Sequence, residues 1–516
     1  MTGANATMAR VTDRPDTSRS THGVTDRGSA AGDRSRIAPV PVAPAERDAG
    51  FTADELLAIT GGTLIARSER PIRGGAVDSR IVEPGNLFSA LPGERTDGHA
   101  FVGAALAAGA AAVLVAHPPE PADVAGREAT IVLVADPLRA LQAVATAWRA
   151  RFDPLVVGIT GSIAKTSTKE AVAAVLGAAM PTLRNQDNLN NEIGLPLTVL
   201  RLRSEHRAAV LEMGMYVGGE IADLARIGRP EIGVVTAVQA VHLSRIGTIE
   251  AVAQAKGELV EALPADGVAV LNADDPRVRA MHKRTSARVV RYGFSRSADV
   301  RAIDVESAGL DGMRFTLVAP EGERPVRIPT LGSLSVHNAT AAAAVGLAAG
   351  LSLDQVVSGL ERGWSAPHRV QVVRAGDVTI IDDSYNASPG SMEAALGILS
   401  GLDGRRIAVL GEMRELGAQH DDLHRKVGML CRRCWDLLVV VDGLPRGGAA
   451  ELARGAAHLR PTDVFAVADR DAARDRLLEI VRPGDVLLVK ASRGVALDVL
   501  VDELVAALGP AAEPAS

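Results

Sequence analysis

Short runs of apolar, often β-branched residues recur along the chain, separated by longer stretches whose apolar positions repeat at helical spacing. Uninterrupted apolar runs predict strands buried on both faces, and their alternation with helices predicts parallel βαβ units. In a central block, 155–355, strands are expected at 208–211, 232–236 and 268–271, and helices at 220–227 and 249–263. The stretches 300–305 and 314–318, split by Gly309 and Gly312, predict a β-hairpin insertion. The rhythm restarts at 356, with strands expected at 379–381, 407–410, 437–441, 464–467 and 486–489; five further βα units predict a second doubly wound domain. Ahead of both, 51–154 predicts a smaller mixed α/β unit, with a helix from Thr52-Ala53-Asp54-Glu55 and strands at 112–116 and 130–134. No short-period repeat is visible.

Length agrees with this division, since 516 residues at ~150 per domain give about three domains. The fold class expected is therefore α/β with three domains: a smaller N-terminal α/β domain (51–154), a central P-loop-type ATPase domain with a mostly parallel sheet (155–355) and a C-terminal Rossmann-like doubly wound domain (356–508), followed by a tail at 509–516. Residues 1–50 are rich in Ser, Thr, Pro, Asp and Arg, with seven Arg against six acidic residues. So few large apolar groups predict disorder, and no apolar h-region suggests a signal peptide.

A net charge of −6 argues against a nucleic-acid or anionic-membrane binder. The longest apolar run, 103–116, is broken by Gly109 and shorter than the ~18 to 20 residues of a membrane span; a helix running into a buried strand is expected. The only cysteines, Cys431 and Cys434, are too few for a disulfide scaffold and suit a reducing cytoplasm. Their C-x-x-C spacing has no second ligand pair, so no metal site is expected there.

The stretch richest in chemistry is Val156 to Ser167. An apolar run ends in a glycine-punctuated turn, Gly158 to Gly161, and Lys165-Thr166 opens a helix. This is the pattern of a phosphate-binding loop, in which backbone amides and a helix N-terminus meet polyphosphate, the Lys reaches the outer phosphates and the next hydroxyl meets Mg²⁺. Read strictly, the motif wants Gly at 164 and 159, where Ala and Ile stand, and an ordinary strand-turn-helix stays open from this stretch alone. Glu212 ends the next apolar run, in Leu211-Glu212-Met213-Gly214, where a cation over the loop would need a carboxylate. His242, Lys256 and Asn272-Ala273-Asp274-Asp275 likewise follow strand ends or sit on helices of the same sheet. The polar loops Asp78-Ser79-Arg80 and Pro92 to His99 are further places for a ligand.

Taken together, these stretches resemble the Mur ligases, the ATP-dependent amide-forming enzymes that build the peptidoglycan stem peptide. The resemblance is carried by Thr160-Gly161-Ser162 with Lys165-Thr166-Ser167, Asn188 to Pro196, Leu211 to Met215 with Gly219-Glu220-Ile221, and His242 with Lys256. It continues in Asn272 with Asp274-Asp275, Asp382 to Pro389 with Ser391-Met392, Leu410 to Met413, and Pro483-Gly484-Asp485. It spans 51–508 and is most similar to the branch that adds D-alanyl-D-alanine to a UDP-muramoyl tripeptide.

The resemblance implies an acyl-phosphate route, with ATP and two Mg²⁺ ions. Gly161, Ser162, Ala164, Lys165, Thr166 and Ser167 would hold the phosphates. Thr166, Glu212, His242 and Lys256 would hold metal, Lys256 through a carbamate. Lys165, Glu212, His242 and Lys256 form the catalytic set. Asn272, Asn338, Arg369 and Asp382 would meet the nucleotide. Ser79, Arg80, Asn190, Asn191, Tyr385 and Asn386 would meet the other substrates. A cytoplasmic monomer, without nucleic acid or membrane span, is expected. The chain departs from the family pattern at Ala164 (Gly), Ala237 (Asn), Leu334 (His) and His368 (Gly). Two rival expectations follow: a Mur-type ligase with another amine or acceptor, and a catalytically impaired nucleotide-binding homologue.

Overall fold

The structure, a computed structural model, describes residues 47–93, 96–239, 246–430, 435–442, 447–457 and 463–510. His242 and the two cysteines lie outside the described residues. Among the described residues the strands form three sheets. The first holds β1 (Thr63–Ala66), β2 (Gly75–Ala76), β3 (Leu87–Ser89), β4 (Ala112–Val115) and β5 (Thr130–Leu133), ordered β1-β5-β4-β3-β2 with only β1 antiparallel. The expected opening helix is Ala53–Thr60, closed at its start by a capping box between Thr52 and Glu55. The apolar run at 103–116 divides into the helix Val102–Ala107 and the buried β4.

The second sheet holds β6 (Leu155–Thr160), β7 (Thr182–Arg184), β8 (Ala208–Glu212), β9 (Ile232–Val235), β10 (Val268–Asn272), β11 (Arg288–Gly293), β12 (Val300–Ser307), β13 (Met313–Ala319) and β14 (Gly322–Ile328). Their order is β14-β13-β12-β11-β10-β9-β6-β8-β7. Successive residues of its inner strands face opposite cores: Val156, Ala209 and Leu211 one way, Val157, Ile159 and Val210 the other. The stretch read as a hairpin insertion differs. β12 and β13 do pair antiparallel, but β12 joins β11 in parallel and β14 adds a third strand, so the segment extends the main sheet. The alternating burial of β13, with every second residue buried, is that of a strand with one face toward the core.

The third sheet holds β15 (Gln371–Ala375), β16 (Val378–Asp382), β17 (Arg406–Gly411), β18 (Leu437–Val441), β19 (Val464–Val467) and β20 (Val486–Lys490) in the order β15-β16-β20-β17-β18-β19. The five expected strands are parallel; β15 is an antiparallel edge that the apolar pattern did not announce.

The first two sheets are locked together through the helix Pro137–Arg149. Its Trp148 is buried and donates from Nε1 to Leu202 O at 3.1 Å, and Arg149 Nε donates to Gly228 O at 2.9 Å. At the start of the described chain Asp48 accepts the Ser204 amide at 3.0 Å.

Candidate active site at the carboxyl end of the central sheet

β6 delivers the chain into a turn shaped by close approach. Gly161 faces Thr236 so tightly that a Cβ would overlap its hydroxyl. That hydroxyl donates to Ile163 O at 2.6 Å, and the Ser162 amide donates to Ala237 O at 2.7 Å. The helix Lys165–Gly177 starts at once, and Ala164 before it lies at φ 64, ψ 3, the left-handed region. Lys165 folds back over the loop and donates from Nζ to Gly161 O at 2.9 Å. Burial lowers its pKa below the ordinary lysine value; the Glu212 charge partly offsets this and Arg369 adds to it.

Glu212, at the end of β8, is 1% exposed. Asn190 Nδ2 donates to its Oε1 at 2.7 Å, while its Oε2 is buried with no hydrogen-bond partner among the described residues. A buried carboxylate oxygen left bare is costly unless a cation or donor meets it. Lys256, on the helix Ile249–Glu261, is 2% exposed. Its pKa is held well below the ordinary lysine value, first by burial and then by the Lys165 charge, against the opposing pull of Glu258 and Glu212.

Phosphate loop, Glu212 and third sheet face one cavity of about 740 Å³. Its far wall carries Arg369, Tyr385, Asn386, Arg414, Lys490 and Arg493. Arg369 stacks on the Tyr385 ring at 4.1 Å and Arg493 approaches it at 5.4 Å. Lys490 Nζ meets Asp383 Oδ2 at 2.6 Å and Asn386 O at 2.9 Å. Burial raises the Asp383 pKa, with Lys490 opposing. Lys490, Arg414 and Arg493 were not singled out in the sequence; a lysine closing the apolar run 486–490 was a usable signal.

Ser162, Ala164, Lys165, Thr166, Ser167, Asn190, Glu212, Asn338, Arg369, Tyr385 and Asn386 all line this cavity. Asn338 is held by Thr168 Oγ1, which donates to its Oδ1 at 3.1 Å. Ser79, Arg80, Gly161, Asn191, Lys256, Asn272 and Asp382 are not among its lining residues. Asn191 Oδ1 accepts the Gly194 amide at 2.9 Å, at the first residue of the helix Gly194–Val199. Asn272 Nδ2 donates to Thr236 O at 2.7 Å. Asp382 is 1% exposed, its Oδ1 accepting from the Ser384 amide at 3.0 Å and its Oδ2 meeting His368 Nδ1 at 2.7 Å. Ser79 and Arg80 stand on the first sheet's side, in a short turn where Arg80 grips Asp78 and holds its pKa down to about 2.

Both places where the family's glycine is replaced lie at positive φ, Ala164 at 64 and His368 at 56. At Ala164 the Cβ costs roughly 1 kcal/mol in this region. The folded chain itself holds that conformation, so Ala164→Gly is expected to raise the melting temperature, by up to about 1 kcal/mol of stability, with little change in kcat. Thermal unfolding checks it; an unchanged or lower melting temperature would refute the strain.

The cavity rim at Arg414 to Leu416 rests on a histidine pair. His420 meets Glu412 Oε1 through Nε2 and Asp421 Oδ1 through Nδ1, both at 2.8 Å, so only the imidazolium donates to both carboxylates. Burial pulls the His420 pKa down, but the hydrogen bonds and charges of Asp421 and Glu412 outweigh it and leave it raised. Neighbouring His424, which accepts the Met413 amide at 2.8 Å, is pushed down by burial. A raised folded-state value means this stabilisation is complete below about pH 6.5 and is lost as pH rises through the folded value. The melting-temperature gap between wild type and His420→Gln should narrow between pH 6 and pH 9; a gap independent of pH would contradict it.

A second constellation, Asp97, His99 and His117, has metal-like proximity. His99 spends both ring nitrogens, however, accepting the Ala116 amide at Nε2 (2.8 Å) and meeting Asp97 through Nδ1 (2.7 Å), which makes it a structural cluster.

A phosphate loop at the carboxyl end of a parallel sheet, facing a second doubly wound domain across one cavity, is the layout of an ATP-dependent ligase. Three family profiles match: Mur ligase family, catalytic domain, at 71–149; Mur ligase middle domain at 159–346; and Mur ligase, glutamate ligase domain, at 368–493. The chain belongs to the Mur ligase family. It is 42% identical over 468 residues to the UDP-N-acetylmuramoyl-tripeptide–D-alanyl-D-alanine ligase of Mycobacterium tuberculosis, covering 83% of this chain and 91% of that protein. Among solved structures, MurF from Acinetobacter baumannii matches with TM-score 0.78 at 31% identity, covering 88% of this chain and 99% of that one. The MurF ligase of Thermotoga maritima in complex with ADP matches with TM-score 0.73 at 28% identity over 84% and 98%.

Proposed function

We propose that this protein joins D-alanyl-D-alanine to UDP-N-acetylmuramoyl-tripeptide, converting ATP to ADP and phosphate. The observation that carries the reading is one cavity lined both by Lys165 and Glu212 and by Arg369, Arg414, Lys490 and Arg493 beside the third sheet, with Glu212 Oε2 buried and without a partner among the described residues. A carboxylate is a poor acylating agent at neutral pH. Its oxygen attacks the γ-phosphorus, the bond to ADP breaks, and an acyl phosphate forms; the dipeptide amine then attacks the acyl carbon, phosphate leaves and the nitrogen loses a proton. The first step brings two anions together, so Lys165 and the amides of 163–167 offset their repulsion. Arg369, Tyr385 and Asn386 orient the reactants on the other wall.

The residues present fit a divalent cation. Glu212 Oε2 is buried without a donor, and Thr166 is buried at the helix start. Lys256, with its pKa held low, is a nucleophilic amine that reacts with carbon dioxide to give a carbamate, turning a cation into an oxygen ligand. We assign Mg²⁺ to Thr166, Glu212, carbamylated Lys256 and His242; when bound, it neutralises phosphate charge. Asn190 orients Glu212, and Asn338, Asn272 and Asp382 shape the nucleotide side. Ser79 and Arg80 are assigned to the UDP end.

The three sheets support boundaries of 51–154, 155–355 and 356–508, and a cytoplasmic monomer is the accompanying assignment. No helix among the described residues is long and apolar enough to cross a membrane. The test is phosphate release with each substrate omitted in turn. Release requiring ATP, UDP-muramoyl tripeptide and D-alanyl-D-alanine together supports the reading; turnover indifferent to the dipeptide would favour another amine, and none under any combination an impaired homologue.

A further inference from the structure

Lys169 is fully buried one turn into the helix that begins at Lys165, and it does not line the cavity. A buried ammonium is costly to desolvate, and an apolar side chain of similar length would fill the space without that cost. Its contacts give it a task. Nζ donates to Asn185 O at 2.8 Å and Asp187 O at 3.4 Å, and pairs with Glu170 Oε1 at 3.0 Å. Glu170 is gripped in turn by Arg184 at 2.7 Å. The carbonyls it holds belong to the loop that follows β7, in which Asp187 takes the left-handed conformation at φ 45.

That loop governs Glu212. Asn185, fully buried, accepts the Glu212 amide at Oδ1 (2.6 Å) and donates from Nδ2 to Leu189 O (2.6 Å). Five residues on, Asn190 Nδ2 clamps Glu212 Oε1, and Asn190 O accepts the Gly214 amide at 2.8 Å. One loop thus fixes the backbone before Glu212, one of its two oxygens and the backbone after it. The other oxygen is left bare. Lys169 ties the whole loop to the helix that carries Lys165 and Thr166.

We infer that Lys169, acting through Asn185 and Asn190, is a positioning residue that fixes Glu212 Oε2 at the cation site relative to the phosphate loop. This rests on the proposed role of Glu212 as a cation ligand. It assigns to a buried lysine outside the cavity a share in the geometry of nucleotide-bound metal.

The test measures Mn²⁺ binding with ADP present by electron paramagnetic resonance, beside kcat, KM and melting temperature. Lys169→Met should weaken Mn²⁺ binding about ten- to hundredfold and lower kcat while leaving KM for the dipeptide unchanged, and Lys169→Arg should recover part of the loss. Val175→Ala, a core truncation on the same helix, controls for lost stability and should bind Mn²⁺ as wild type does. A folded Lys169→Met protein with wild-type Mn²⁺ affinity overturns the inference, as does an equal loss in Val175→Ala. If Lys169→Met does not fold, Asn185→Ser decides in the same assay: weakened Mn²⁺ binding supports the inference and unchanged binding overturns it. Wild type that binds no Mn²⁺ would instead overturn the cation role of Glu212.

Discussion

Glu212→Gln is expected to lower kcat by roughly 10²- to 10³-fold, the usual loss when a preorganised electrostatic group is removed from a closed site. Glutamine keeps the volume, and its carbonyl oxygen can still accept from Asn190 Nδ2, which now meets Oε1 at 2.7 Å. The change falls on the other atom: an amide nitrogen takes the place of Oε2, which has no partner among the described residues. An amide neither carries charge nor ligates a hard cation through nitrogen. Because the packing is conserved, the melting temperature should hold while phosphate release collapses. Activity within a few-fold of wild type would show that Glu212 is a structural carboxylate.

The second large effect concerns Lys256. Lys256 is 2% exposed and burial holds its pKa well below the ordinary lysine value; under the proposed carbamate, a carboxylate would supply oxygen where an ammonium would repel a cation. Lys256→Ala should abolish measurable turnover, and a short carboxylic acid such as acetate, diffusing into the space left behind, should restore part of it. Rescue by acetate but not by methylamine distinguishes a lost carboxylate from a lost amine. Full activity of the alanine variant without additives would reduce Lys256 to a buried lysine of the helix Ile249–Glu261.

What could be read in advance follows from how local each feature is. The strand-turn-helix at Leu155 to Leu176 is set by neighbours in sequence, and so is the placement of Glu212 at a strand end; both were legible from the apolar pattern. The hairpin expected at 300–318 was legible as two strands but not as an extension of the main sheet, because β12 chooses its partner β11 by the free edge that the folded sheet presents. Asn190 and Asn191 were both expected at substrate. Asn190 lines the cavity and holds Glu212 Oε1, while Asn191 accepts the Gly194 amide outside the lining, a difference of side-chain direction that adjacent positions do not reveal. The pair Asp383–Lys490 joins residues 107 apart, and the tie from Lys169 to the Glu212 loop exists only once helix and strand are packed side by side. The glycine replacements show the converse. The motif wants glycine at 164, and Ala164 lies at φ 64, in the region that favours glycine.

The fate of one oxygen separates a ligase from a hydrolase at this site. With UDP-muramoyl tripeptide carrying ¹⁸O in its reacting carboxylate, an acyl phosphate transfers one of those oxygens to phosphorus before the dipeptide amine displaces it. Mass spectrometry of the released phosphate in the presence of ATP and D-alanyl-D-alanine should therefore find one ¹⁸O per phosphate, with amide product formed in equal amount. Phosphate free of label would mean that water, not the carboxylate, meets the γ-phosphorus, and would contradict the ligase reading of this site.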